Sequence, residues 1–376
     1  MIQNFKKESI AKGIFWFAFI SEILVFAVKK FDLVLPYEST ILRGLCLLFC
    51  IKILLTRYSK QEWLMIIVCG LLGVIGYFAS GRGIDLFFRA SMMVWAAKDI
   101  SREKAFKVLL SILTITYGWN ILQSLLGMKP MFVIDDFGRG ITEKRYVFGF
   151  SHANTLHFSL WSLMTLFIYL YHKKMRPWHY AVLAGLAFAL TCLTRSRTGG
   201  ALTFLTLGLF FCFYYIPSVT RHKKLIFLAV TGILIFCLAL SAFTVIYGPD
   251  PILWLNSLMT GRIALAYHGI IHVDPPFTLT LFSTQGRTLY IDMGFIRLIY
   301  SYGVIPALFY LAAILFLLWD DYRTENYTNL TFLTGLILLT QIEAQQVNCD
   351  IVYNFTLIML FGRLHFPGNS THLKCK

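Results

Sequence analysis

The sequence predicts an all-helical, polytopic membrane protein, and three observations lead to this fold class. Hydrophobic residues fill 57% of the 376 positions and charged residues only 14%, whereas soluble proteins carry about 25% charged residues. The mean hydropathy is +0.67. The polar stretches between the apolar runs are too short to form an independent soluble domain. We therefore exclude a soluble enzyme with a membrane anchor and expect one integral membrane domain over residues 1–376.

The apolar runs have the length of membrane-spanning helices, which is about 20 predominantly apolar residues. Because Glu22 interrupts the first run and no small-residue cleavage site follows it, we expect that run to be a retained span and not a signal peptide. Of about twelve predicted spans, the fourth, seventh and last are short. The predicted spans are 13–28, 40–56, 62–80, 84–98, 105–127, 153–172, 178–193, 199–216, 225–247, 292–318, 328–344 and 352–366.

The basic residues predict how these spans are oriented. With the amino terminus in the cytoplasm, lysines and arginines concentrate in nearly every cytoplasmic loop, as the positive-inside rule requires. We expect both termini to be cytoplasmic. The net charge of +15 is then mainly a topology signal, and it requires no nucleic acid as a partner.

This topology leaves two longer outer segments, 128–152 and 248–291, and a tight outer turn at 194–198. Positive residues on this side run against the charge bias, and most of them are arginines, which bind phosphate and carboxylate through paired hydrogen bonds. The outer side is therefore expected to bind an anion. For any single arginine, pairing with an acidic loop residue or a lipid head group remains the alternative. The outer cations are Arg82, Arg139, Lys144, Arg145, Arg195, Arg197, Arg262 and Arg287.

The outer turn contains the sequence Thr-Arg-Ser-Arg-Thr-Gly-Gly over residues 194–200. It places Arg195 and Arg197 at the predicted start of a helix, where free backbone N–H groups also favour anions. The pattern predicts a phosphate-binding site, with the phosphates of membrane lipids as the alternative ligand.

Polar residues also stand at the heads of two predicted spans. His152 and Asn154 lie at the start of the sixth span, close in sequence to Arg139 and Arg145. An interfacial histidine is either a hydrogen-bonding residue of a helix end or a catalyst. Asp292, at the head of the tenth span, is either an N-cap or an acid of the site.

The sequence offers little for a metal. His268 and His272 are four residues apart and would share a helix face, but no HExxH motif and no third ligand accompany them. The eight cysteines include no CxxC pair. We expect neither a metal nor a cofactor.

Three short motifs occur in a familiar order. Residues 149–154, Gly-Phe-Ser-His-Ala-Asn, are similar to a Gly-x-x-His-Pro-Asn entry to a span; residues 194–199 are similar to a Ser-Arg turn; and Gly261-Arg262 opens the main outer loop. Through these motifs most of the chain resembles the bacterial polysaccharide polymerase and O-antigen ligase superfamily. The resemblance implies a GT-C-like membrane glycosyltransferase in the cytoplasmic, or inner, membrane, which acts without a metal on the outer face.

One position separates the members of this superfamily. Asp292-Met293 stands where the ligases have a His-Asn-like pair, so the resemblance favours a polymerase of capsular, exopolysaccharide or O-antigen repeat units. A ligase that transfers finished glycan is one alternative. A flippase or transporter of lipid-linked oligosaccharide is another, although a transporter should carry its charges near mid-membrane.

The resemblance also implies roles for individual residues. The substrate would be an oligosaccharide linked to undecaprenyl diphosphate, with membrane lipids, a flippase and a chain-length regulator as further partners. Asp292 or His152 would be the general base, and Asn154 would orient a sugar or phosphate. The arginines that would meet the charge of the diphosphate are Arg139 or Arg145, Arg195, Arg197 and Arg262.

Overall fold

The computed structural model describes residues 2–29, 35–80, 86–136, 142–272, 276–282, 291–347 and 354–364. These residues are predominantly helical and include one two-stranded hairpin. Within them, seven helices are long and apolar enough to cross a membrane, as expected for an all-α, multi-pass membrane protein. These seven are α1 (Ile2–Lys29), α3 (Lys60–Ser80), α5 (Arg102–Leu125), α7 (Pro177–Thr194), α8 (Arg197–Tyr215), α10 (Lys223–Tyr247) and α14 (Val304–Arg323).

The other helices are shorter, less apolar or more highly charged than these seven, so the count of twelve spans stays a prediction. The fourth and last predicted spans contain helices of 11 and 5 residues. The shorter or more polar helices are α2 (Glu38–Leu55), α4 (Leu86–Ala96), α6 (Ala153–Tyr171), α9 (Pro217–Thr220), α11 (Leu253–Leu258), α12 (Arg262–Ile271), α13 (Gly294–Arg297), α15 (Tyr327–Ile342) and α16 (Phe355–Met359).

The tenth predicted span, 292–318, is not one helix. It begins as α13, continues as a π-helical turn over Leu298–Tyr302, and breaks at Gly303 before α14 starts. Gly303 has a φ of 101°, a conformation that glycine adopts without the steric cost of a side chain. The helix that can cross the membrane therefore starts and ends later than predicted.

The chain forms two compact units. The first contains residues 1–108, 282–286 and 349–376, and the second contains 109–281 and 287–348. Buried charges in the first unit are paired: Glu22 lies 3.3 Å from Arg89 and Glu62 lies 2.7 Å from Lys98. All described residues of the predicted site belong to the second unit.

Helix α15 lies in the middle of the second unit. It packs against α6, α8, α10 and α14 and is buried over most of its length. Small residues let these helices approach closely. At Gly335, for example, an added Cβ would lie only 3.2 Å from the indole of Trp161.

Contacts at one end of this helix bundle show which loops lie together. Lys223 and Glu325 form an ion pair of 2.6 Å, and the Tyr327 hydroxyl donates to the Thr220 carbonyl over 2.9 Å. Because consecutive helices run in alternating directions, the opposite end contains the starts of α6 and α8 and the ends of α7, α10 and α15. We call it the outer end, after the predicted topology.

The turn between α7 and α8 depends on two glycines. A Cβ at Gly199 would lie 2.5 Å from the His157 ring and 2.7 Å from Ser196 Oγ, and one at Gly200 would lie 2.7 Å from Thr191. All three distances are shorter than real Cβ contacts. The glycines therefore permit the close approach that places Arg195 and Arg197 at the outer end.

We predict that Gly199→Ala lowers the thermal unfolding midpoint of the purified protein in detergent. Overpacking a tight site typically costs about 1–3 kcal/mol. The control is Gly208→Ala in the same helix, where an added Cβ meets nothing within 4 Å and alanine improves helix propensity. Equal midpoints for the two variants would contradict the packing described here.

Candidate functional site

A β-hairpin in the first outer segment buries two side chains of opposite charge. Strands β1 (Phe132–Asp136) and β2 (Thr142–Tyr146) are antiparallel, with Ile134 opposite Lys144. Side chains alternate along a strand, so Glu143 and Arg145 are buried while Lys144 is exposed. The sequence did not predict this hairpin.

Glu143 bridges two of the predicted arginines. Its Oε2 atom accepts hydrogen bonds from Arg145 Nε at 3.1 Å and Nη2 at 2.9 Å. Its Oε1 atom lies 3.9 Å from Arg195 Nη1, and the Arg195 side chain stays 53% exposed. The alternative of pairing with a loop acid is thus confirmed for Arg145, and Arg195 combines a longer contact of this kind with a half-exposed side chain.

His152 caps helix α6 and lies close to three charged groups. Its Nδ1 atom accepts a hydrogen bond of 3.1 Å from the Asn154 backbone N–H. Burial lowers the pKa of His152 below 6.5; the cations of Arg145 and Arg262 lower it further, and Asp292 raises it. The imidazole is therefore neutral at pH 7, and its electrostatic neighbours come from three separate chain segments.

Arg262 connects three segments of the second unit. It is the first residue of α12 and follows Gly261, which has a φ of 80°. Its Nη2 atom donates to Glu343 Oε1 at 2.6 Å, and its Nη1 atom donates to the Ile342 carbonyl and lies 3.4 Å from Asp292 Oδ2. Because carbonyls at a helix C-terminus lack partners, the end of α15 is a favourable place for this guanidinium.

Asp292 lies beside Arg262 and is not the N-cap of α13. The N-cap of α13 is Met293, which makes no side-chain capping bond, so the N-cap interpretation of Asp292 is wrong. Ile291 and Met293 on either side are buried, but the Asp292 side chain is 37% exposed. Its carboxylate therefore remains accessible beside Arg262.

The structure brings most of the predicted residues together. Arg145, Arg262 and Asp292 surround His152; Asn154 joins them through its backbone, and Arg195 through Glu143. Arg197 is exposed at the start of α8, and no ion pair links it to another described residue. Other predicted residues lie outside the described residues: Arg82, Arg139 and Arg287.

Sequence reasoning missed Glu343. It lay inside the predicted span 328–344 and was read as part of that span. A signal was present, because Gln341 precedes it and Gln345 and Gln346 follow it at the end of an apolar run. Ionisable residues within predicted spans tend to face polar sites.

The described residues include no group of three or more side chains suited to a metal ion. His268 and His272 lie one turn apart on the exposed face of α12, with ring centroids 6.2 Å apart. No family model, curated protein or solved structure matches this chain. We therefore infer the function from the geometry of the site itself.

We predict that acidification destabilises the wild type more than the His152→Gln variant. Unfolded histidine takes up a proton near pH 6.5, whereas folded His152 does so only at a lower pH. The unfolded state thus binds more protons as pH falls below 6.5, and stability falls with it.

Thermal unfolding midpoints between pH 7.5 and 5 measure this effect, since glutamine can still accept the Asn154 N–H bond. His222→Gln, at an exposed histidine, is the control and should follow the wild type. An identical pH dependence of the wild type and His152→Gln would contradict the buried, cation-flanked imidazole.

Proposed function

We propose that the protein is a membrane glycosyltransferase that polymerises oligosaccharide repeat units linked to undecaprenyl diphosphate. The observation that carries the proposal is a charge cluster at one end of the bundle: Arg262 lies beside one accessible carboxylate, Asp292, and Arg145 and Arg195 share Glu143. These groups come from β2, the α7–α8 turn, α12 and the segment before α13. Cations meet the charge of a diphosphate leaving group, and a carboxylate accepts the proton of an attacking hydroxyl.

Two arginines are suited to bind the diphosphate. Buried Arg145 and Arg262 already have carboxylate partners, but Arg195 is half-exposed and Arg197 has no ion pair within the described part of the chain. Both flank the start of α8, where Ser196 makes no side-chain capping bond. Free N–H groups and two guanidinium groups at a helix start favour a phosphate ligand.

Asp292 is the better general base of the two predicted residues. In neutral His152 the Nδ1 atom accepts the Asn154 N–H bond, so the ring hydrogen resides on Nε2 and the imidazole acts as a donor. Asp292 is accessible and lies beside Arg262. We assign His152 to orienting the substrate by a hydrogen bond.

The reaction follows from these roles. Asp292 takes the proton from a sugar hydroxyl of the acceptor repeat unit as that oxygen attacks the anomeric carbon of the donor glycan. The bond between this carbon and the diphosphate breaks, and its electron pair leaves with the diphosphate. Arg195 and Arg197 stabilise the negative charge that develops there. The growing glycan is now joined to the acceptor, and undecaprenyl diphosphate is released.

The proposal includes the finer points of the predicted architecture. The protein would have about twelve spans and a GT-C-like arrangement in the cytoplasmic membrane, with the site on the outer face. A flippase is less well supported, because a transporter needs its binding groups near mid-membrane and these charges lie at helix ends. A ligase would share the site and differ in its acceptor.

We predict that Arg197→Ala abolishes chain extension in cells. In a strain that lacks the gene, wild-type protein should restore the ladder of long surface glycan, while Arg197→Ala should leave single repeat units on the lipid carrier at the outer face. Losing one charge-stabilising donor typically costs about 10²–10³ in rate. Arg195→Ala and Asp292→Asn should behave similarly.

Arg221→Ala is the matched control, because Arg221 is an exposed arginine beyond α9, at the opposite end of the bundle. It should restore the full ladder, and all variants must be present at wild-type abundance. Single units on the cytoplasmic face of the deletion strain would indicate a flippase, and long chains left on the carrier a ligase. Full ladders from all three site variants would refute the site.

A further inference from the structure

One guanidinium, that of Arg262, contacts two carboxylates at the centre of the site, and the two contacts differ in distance and burial. Arg262 Nη2 donates to Glu343 at 2.6 Å, while Nη1 lies 3.4 Å from Asp292. Glu343 is buried, whereas Asp292 is partly exposed. The tight contact thus belongs to the acid that substrate does not reach, and the loose contact to the proposed base.

The backbone around these two acids is held by close packing. A Cβ at Gly294 would lie 2.5 Å from the Thr340 carbonyl oxygen and 3.1 Å from the Glu343 carbonyl oxygen. The segment that carries Asp292 is therefore pressed against the end of α15. The Arg262 guanidinium lies between these two segments and contacts both.

A buried guanidinium needs a counter-charge. If Glu343 lost its charge, Asp292 would be the carboxylate left beside Arg262. The guanidinium would then move from the loose contact into a close, paired hydrogen bond with Asp292. The oxygen lone pairs that must accept the substrate proton would be occupied.

We propose that Glu343 is a positioning residue for glycosyl transfer. It holds Arg262 away from Asp292, so that the base still has an oxygen available for the acceptor hydroxyl. This inference rests on the proposed function. It assigns to Glu343 no contact with substrate and no proton transfer.

The test measures kcat and KM of purified protein in lipid nanodiscs. The substrate is the single repeat unit on undecaprenyl diphosphate, extracted from the strain that lacks the gene. Glu343→Gln should lower kcat about 10- to 100-fold and change KM less than about twofold, because substrate-binding Arg195 and Arg197 are untouched. Glu343→Asp, which restores the charge, should recover part of the lost kcat.

A double-mutant comparison identifies the route of the effect. In an Arg262→Lys background the fork that joins the two acids is absent, so Glu343→Gln should reduce kcat by less than about twofold further. Independent effects of the two substitutions, multiplying in the double variant, would overturn a role through Arg262.

Glu62→Gln controls for the loss of a buried ion pair, since Glu62 is buried 2.7 Å from Lys98 in the first unit. It should lower the unfolding midpoint and leave kcat per folded molecule unchanged. If Glu343→Gln does the same, its role is structural only and the proposal is wrong. If wild-type protein makes no polymer from these units, the proposed function fails, and this inference fails with it.

Discussion

A buried guanidinium is stable only where carboxylates and carbonyls surround it, and Arg262 imposes this requirement on the second unit. It is the first residue of α12, and its partners come from the segment before α13 and the end of α15. Removing one partner of a buried ion pair typically costs about 3–5 kcal/mol. The three segments are therefore fixed together, and with them the position of Asp292. An exposed arginine could not organise the site in this way.

Glu143 is a second buried charge that must be paired, and its partner Arg145 lies near His152. The hairpin buries it beside Arg145, and its second oxygen faces Arg195. The cluster then holds three arginines, at 145, 195 and 262, and three carboxylates, at 143, 292 and 343. Arg197 follows two residues after Arg195 and adds a further charge at the start of α8. The remaining positive charge lies with the exposed arginines of the α7–α8 turn. Under the proposed function, these exposed arginines would attract the diphosphate of the substrate.

The sequence is informative about fold class because apolar length and charge bias are local properties. It also pointed to His152 and Asp292, because polar residues at span ends are conspicuous in an apolar chain, and to Arg262, because it is a cation on the predicted outer side. The sequence does not show which charged residues pair with each other. Spacing along the chain does not show that Glu143 pairs with Arg145, or that Glu343, read as part of a span, lies 2.6 Å from Arg262. The break at Gly303 was missed for a related reason, because hydropathy does not report backbone angles.

We propose that this one site performs glycosyl transfer with its own cations and base. The most direct test supplies purified protein in nanodiscs with single repeat units on undecaprenyl diphosphate and a chelator of divalent metals, and counts both products. We expect longer lipid-linked glycans and one released undecaprenyl diphosphate for each new glycosidic bond. A folded protein that releases no undecaprenyl diphosphate, or that forms bonds only when a metal is restored, would contradict it.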